Sequence, residues 1–221
     1  MTINHIVLLD LPSHLVLYHD LVTDAHLLAN PKNHQHIALV YDGVDELNAR
    51  IAEYLNEGLR RGQLCVYATI HFRDQGHIDK FAALIADYKE NSDKGNLLVV
   101  DLAPFYISAL LGDMKPFEDA KKIFAEKAKD KEDKHVRFAG DATGFLFKNK
   151  HFDECAMIEQ WWQRKPFEGS HVCPFPKSFL NSFPHEIYSK RSVFGAHDTL
   201  MDICGDYLIP DKVNGDVPTI E

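Results

Sequence analysis

Thirteen histidines, four cysteines and 33 acidic residues carry most of the chemistry open to this 221-residue chain. His34 and His36 stand two apart, which puts both imidazoles on one side of an extended segment. Such a pair can begin a zinc or copper site, but a site needs three or four ligands. His5, His14, His19, His71 or His197 are available to complete it, and no spacing selects among them. The alternative for these rings is a polar surface or strand-end position. Cys65, Cys155, Cys173 and Cys204 form no C-x-x-C pair, so neither a zinc ribbon nor a thioredoxin-type motif is indicated. Cys173, in "HVCPFP", falls at an expected strand end before Pro174. There it is either a reactive or ligand-sensing thiol or a small core hydrophobe. Glu159 shares a helical face with Phe152, Cys155 and Ala156. A carboxylate among apolar residues must find a partner or take a raised pKa. The competing reading places it at the boundary of a face made by Met157, Ile158 and Trp161. Asp101 and Asp141 each follow an apolar run and can bind a ligand or cap the next element.

These residues need elements to position them. "HIALVY" (36–41) is a continuous apolar run, as in a strand covered on both faces. Leu47, Ile51, Tyr54, Leu55 and Leu59 follow at helical spacing, and Arg60-Arg61-Gly62 ends that helix. Further strands are expected at 63–69, 96–102, 135–141 and 171–175. A second helix is marked by Ile78, Phe81, Ala82, Ile85 and Tyr88. A third begins at Pro116 and continues through Phe117, Ala120, Phe124 and Ala128. A fourth spans 152–163, and another is expected over Thr199–Tyr207. This alternation gives an α/β fold, a mainly parallel sheet with helices on both faces. Residues 1–33 read as an N-terminal extension, 34–205 as the α/β domain and 206–221 as a polar C-terminal tail.

Ligands of such sheets bind beyond the carboxyl ends of the strands. Those ends are expected at Tyr41-Asp42, Thr69 to His71, Asp101, Asp141 to Thr143 and Cys173 to Phe175. The first turn, Asp42-Gly43-Val44-Asp45-Glu46, has one glycine, three carboxylates and no Gly-Lys-Ser/Thr. A phosphate loop needs glycine amides, a lysine and a magnesium-binding hydroxyl. Hydrolysis of a nucleotide by that route is therefore not expected, and Asp42 or Asp45 is expected to cap the helix instead. The net charge of −9 argues against a nucleic-acid backbone or an anionic membrane as the main partner. No apolar run reaches the ~18–20 residues of a membrane helix, and no secretory signal is seen. Unpaired thiols suit a reducing compartment, and the cytoplasm is the expected location.

Taken together, the "H-x4-Y" of 36–41, "YLNEGLRRG" of 54–62, "CVYAT" of 65–69, "GD" of 140–141, the Glu159 helix, "CPFP" of 173–176 and "AHD" of 196–198 have an order that resembles the methanogen/methylotroph DcmR-type sensory domain, MEDS. The resemblance spans roughly residues 34–200 and matches at His36, Tyr41, Gly58, Cys65, Asp141, Glu159, Cys173 and His197. "GLRRGQLCVYAT" (58–69) is also similar to the segment after the phosphate-loop helix in RecA/KaiC ATPases. The resemblance thus implies a RecA-like sheet that has lost its phosphate loop. It also implies a sensor of small molecules, hydrocarbon derivatives among them, of a kind often joined to DNA-binding or kinase modules. Neither module is visible here, so signalling is expected to run through a protein partner or a homo-oligomer. The combined reading is a non-catalytic sensory domain with ligand-binding residues Tyr41, Thr69, Asp141, Cys173, Phe175 and Glu159. Its cofactor is unspecified. The alternative is a metal-dependent enzyme or metal sensor drawing on His34, His36 and His197.

Overall fold

Strands without apolar/polar alternation need cover on both faces, and that requirement organises this chain. The computed structural model describes residues 24–164, 168–178, 193–202 and 207–208. Its strands are β1 (Gln35–Tyr41), β2 (Leu64–Thr69), β3 (Leu97–Asp101), β4 (Val136–Gly140), β5 (Gly169–Pro176), β6 (Thr199–Asp202) and β7 (Tyr207–Leu208). They form one sheet in the order β3-β2-β4-β5-β1-β6-β7. The first six are parallel, and β7 runs antiparallel to β6.

The helices are α1 (Asp24–Ala29), α2 (Val44–Arg60), α3 (Gln75–Leu84), α4 (Tyr88–Asp93), α5 (Ala103–Leu110), α6 (Lys115–Ala128), α7 (Ala142–Lys148) and α8 (Phe152–Arg164). Ile37, Leu39, Cys65, Tyr67, Ala139 and Val172 pack on one side with Tyr54 and Leu55 of α2 and Phe81 of α3. Ala38, Val66, Ala68, Phe138, Cys173 and Phe175 pack on the other, against α5 to α8. The expected mainly parallel sheet with helices on both faces is thus observed. The β1–α2–β2 crossover passes β5 and β4 before its second strand joins the sheet. This leaves the carboxyl ends of β1, β2, β4 and β5 around one crevice, the usual ligand edge of an open α/β sheet.

Several local expectations are corrected. The helix expected from Ile78 to Tyr88 breaks at Ile85, which is extended, and at Asp87, which is left-handed (φ 47°). The helix expected over Thr199–Tyr207 is not formed. Thr199–Asp202 instead pairs in parallel with β1, from Ile37↔Thr199 to Val40↔Asp202, taking up the backbone donors and acceptors that β1 offers on that edge. Neither Asp42 nor Asp45 caps α2. Gly43 is its N-cap with no side-chain hydrogen bond, and Asp42 lies 3.6 Å from Lys177 instead. The second half of the expected N-terminal extension includes α1, whose Leu28 is buried in the core. Residues 1–23 and most of 206–221 lie outside the described residues.

Two buried charges and a cleft

Glu159 projects from α8 and is wholly buried. Four side chains from four separate places meet there. His36 is the second residue of β1, Cys173 the fifth of β5, and His197 lies just before β6. Strand register brings two of them together, because His36↔His171 and Ala38↔Cys173 are paired and these side chains share the α8 side of the sheet. The His36 Nε2 lies 3.0 Å from Glu159 Oε2 and 3.3 Å from Cys173 Sγ. The His197 Nε2 lies 3.3 Å from the same carboxylate oxygen. One donor atom from each of the four residues lies within 4.8 Å of every other. The His171 ring packs 4.7 Å from that of His36.

The outer ring nitrogens fix the tautomers. The His36 Nδ1 is 2.9 Å from the Ala196 carbonyl and the His197 Nδ1 is 2.9 Å from the Val193 carbonyl. A carbonyl only accepts, so each Nδ1 carries a proton, and in the neutral ring each Nε2 presents a lone pair. The carboxylate is close to both Nε2 atoms, yet neither contact has the alignment of a hydrogen bond. Among the described residues, Glu159 Oε1, Glu159 Oε2 and His197 Nε2 have no hydrogen-bond partner. Burial alone would raise the Glu159 pKa. The neighbouring His197 and His36 rings act in the opposite direction. Burial and the nearby His36 lower His197, while burial and then Glu159 raise the Cys173 thiol. Two imidazole nitrogens, a thiol and a carboxylate converging in the interior form a donor set able to hold a transition metal.

A second buried charge lies on the other side of the sheet. Arg137 of β4 donates from Nε to Gln63 Oε1 at 2.5 Å and from Nη1 to the Leu28 and Tyr54 carbonyls at 3.0 and 2.9 Å. Its Nη2 donates to the Ala29 carbonyl at 2.9 Å, and the guanidinium lies over the Tyr54 ring. Gly58 permits this approach, since a Cβ there would stand 2.5 Å from Arg137 Cδ.

At the carboxyl edge of the sheet lies a cleft of about 280 Å³. Tyr41, Tyr67, His71, His77 and Asp141 supply its polar lining, and Leu47, Ile51, Phe145 and Pro174 its apolar walls. The Asp141 carboxylate accepts from the Thr69 hydroxyl (2.6 Å) and the Ile70 amide (2.9 Å), and burial raises its pKa despite them. Burial, and then Asp141, pushes Tyr41 up to about 12. The Tyr67 hydroxyl meets His77 Nε2 at 2.8 Å.

The ligand residues read from the sequence therefore fall in two places. Tyr41 and Asp141 line the cleft, and Thr69 is tied to it through Asp141. Cys173 and Glu159 belong to the buried quartet, and Phe175 packs beside it, 5.7 Å from the His197 ring. Cys173 sits within β5 and not at its end. Of the three candidate metal histidines, His36 and His197 meet but His34 does not. Its φ is +64°, so 34–36 is not an extended segment, and its exposed ring is 3.8 Å from Glu168. Asp101 accepts from the Ala103 amide just before α5, whose N-cap is Leu102. Sequence reasoning did not bring His36, Glu159, Cys173 and His197 to one point. The signal available was a carboxylate on an apolar helical face, which demands a buried partner.

A family model described as MEDS, MEthanogen/methylotroph, DcmR Sensory domain, matches residues 35–189. Among solved structures, the crystal structure of the flagellar accessory protein FlaH from Methanocaldococcus jannaschii aligns with a TM-score of 0.43 and 9% identity, covering 83% of this chain and 78% of that one. No curated protein matches the chain.

Proposed function

The chain belongs to the MEDS family, the methanogen/methylotroph DcmR sensory domains, and on that premise we propose that it is a non-catalytic sensor binding a small organic molecule in the Tyr41–Asp141 cleft. The observation that carries the placement is the cleft itself. It opens beyond the strand ends, beside the start of α2, with a buried carboxylate at its base and apolar walls. No lysine follows Gly43, and Asp45 and Glu46 occupy the first turn of α2. That charge disfavours phosphate and favours a neutral or cationic ligand with a hydrogen-bond donor for Asp141. The quartet is too deeply buried to admit a substrate, which argues against a metal-dependent enzyme.

No described helix is long and apolar enough to cross a membrane. Cys65, Cys155 and Cys173 are free thiols, which fits a reducing cytoplasm. The signal would pass to a protein partner or a second copy. Ile107 and Leu111 on and just after α5, and Ile123 on α6, are exposed apolar side chains available for such a contact.

A thermal-shift screen of small neutral and cationic organic compounds tests the placement. Val44→Trp fills the cleft mouth from a position that is 55% exposed, so folding is retained. A compound that stabilises the parent chain is expected to lose its effect in this variant. An equal shift in both would move the ligand elsewhere. ATP with magnesium is expected to give no shift.

A further inference from the structure

The geometry points to a closed metal site. We propose that His36, Glu159, Cys173 and His197 bind one divalent ion of zinc's class, fastening segment 193–198, which leads into β6, to the sheet. This is independent of the cleft and its ligand.

Four observations converge on it. The donor set of two imidazoles, one thiol and one carboxylate is a zinc-type set, with four protein ligands as in structural sites. Metal–ligand bonds of ~2.0–2.3 Å place neighbouring donors of a tetrahedral site roughly 3.3–3.8 Å apart. The short contacts here are 3.0, 3.3 and 3.3 Å, and the widest separation, 4.8 Å, closes with a small side-chain rotation.

Both histidines have Nδ1 held by a backbone carbonyl, the arrangement that directs a ligating Nε2 lone pair inward. The off-axis contacts with Glu159 follow from the same cause. Ligands aim at a shared centre and not at one another. Finally, a wholly buried carboxylate without hydrogen-bond donors is costly unless a cation accompanies it. On binding, Cys173 gives up its thiol proton to solvent and the thiolate joins the ion. A 2+ ion, one thiolate, one carboxylate and two neutral imidazoles then sum to zero charge.

The mechanical consequence follows from where the ligands lie. β1 and β5 are strands of the sheet and α8 packs on it, whereas His197 arrives on the segment that leads into β6. That segment is also tied by the Asp198 amide to the His36 carbonyl (2.8 Å), by the Asp198 carboxylate to the His36 amide (2.9 Å) and by the Ala196 carbonyl to His36 Nδ1 (2.9 Å), and Val193 and Phe194 pack in the core. The ion would cross-link it to the interior.

The test uses the full chain, purified without an affinity tag. Elemental analysis after zinc loading and desalting is expected to give about one ion per chain. Cobalt loading is expected to produce a thiolate charge-transfer band. Glu159→Gln and His197→Ala should each weaken zinc affinity by about 100-fold or more, and Cys173→Ser should abolish the band while circular dichroism stays unchanged. If a variant fails to fold, the wild-type stoichiometry and cobalt spectrum decide alone. Folded wild-type protein that takes up no ion, or binds cobalt without a thiolate band, overturns the site. So does undiminished affinity in folded Glu159→Gln and His197→Ala.

Discussion

Arg137 and Glu159 are both buried charges, one on each side of the same sheet, and they are treated in opposite ways. The guanidinium directs four hydrogen bonds to one side-chain and three main-chain oxygens and stacks over Tyr54. Every group it faces is an acceptor, and it joins α1 to α2 and β4. Glu159 has no hydrogen-bond donor for either oxygen among the described residues and faces two imidazole nitrogens and a thiol. A buried charge with its donors or acceptors matched is a structural fastener. One left unmatched inside a cluster of soft and borderline ligands marks a place where something else binds.

The harshest way to break this contrast is to remove the satisfied charge. Arg137→Met leaves the Leu28, Ala29 and Tyr54 carbonyls and Gln63 without their donor. It is expected to cost about 3–5 kcal/mol in urea unfolding. Metal stoichiometry should be unchanged in whatever fraction remains folded, since the quartet lies across the sheet.

The smallest effect belongs to a partnered carboxylate near solvent. Glu57 accepts from Arg60 at 2.7 and 2.5 Å and from Arg61 at 2.7 Å, and these cations lower its pKa to about 2. A depressed acid stabilises the fold above its unfolded pKa and loses that contribution as pH falls through the folded value. Glu57→Gln should therefore cost less than about 1 kcal/mol at pH 7, and the difference from the parent chain should fade between about pH 4.5 and 2. Parallel unfolding curves at both ends of that window check it. A cost that persists at pH 2 would mean that Glu57 acts through packing.

Strands β1 to β5 were legible because a strand covered on both faces is a largely apolar run. Helices α5 and α7 were not, since each is short and starts directly at a strand end, where no long apolar period develops. β6 was missed because four residues of mixed character become a strand only against the edge of β1. The cleft was legible in part. Tyr41 and Thr69 are the last residues of their strands and Asp141 directly follows β4, and a parallel sheet gathers such ends on one edge. The quartet was hidden by register. His36 and Cys173 are 137 residues apart, and only the pairing of β1 with β5 sets them side by side. Pro174 and Pro176 also made Cys173 look like a strand end. β5 pairs with β4 only as far as Val172, so beyond it one strand edge requires no N–H and prolines are tolerated.

The most direct test of the central claim compares unfolding of the parent chain and Glu159→Gln, each with zinc and with chelator. In zinc the parent should unfold at higher urea than in chelator, and Glu159→Gln should show no such gain. In chelator the variant should be at least as stable as the parent, because an uncompensated buried charge has been removed. A variant that is strongly destabilised in chelator, with zinc moving neither protein, would show that Glu159 is a buried ion-pair partner of the histidines and that no metal binds there.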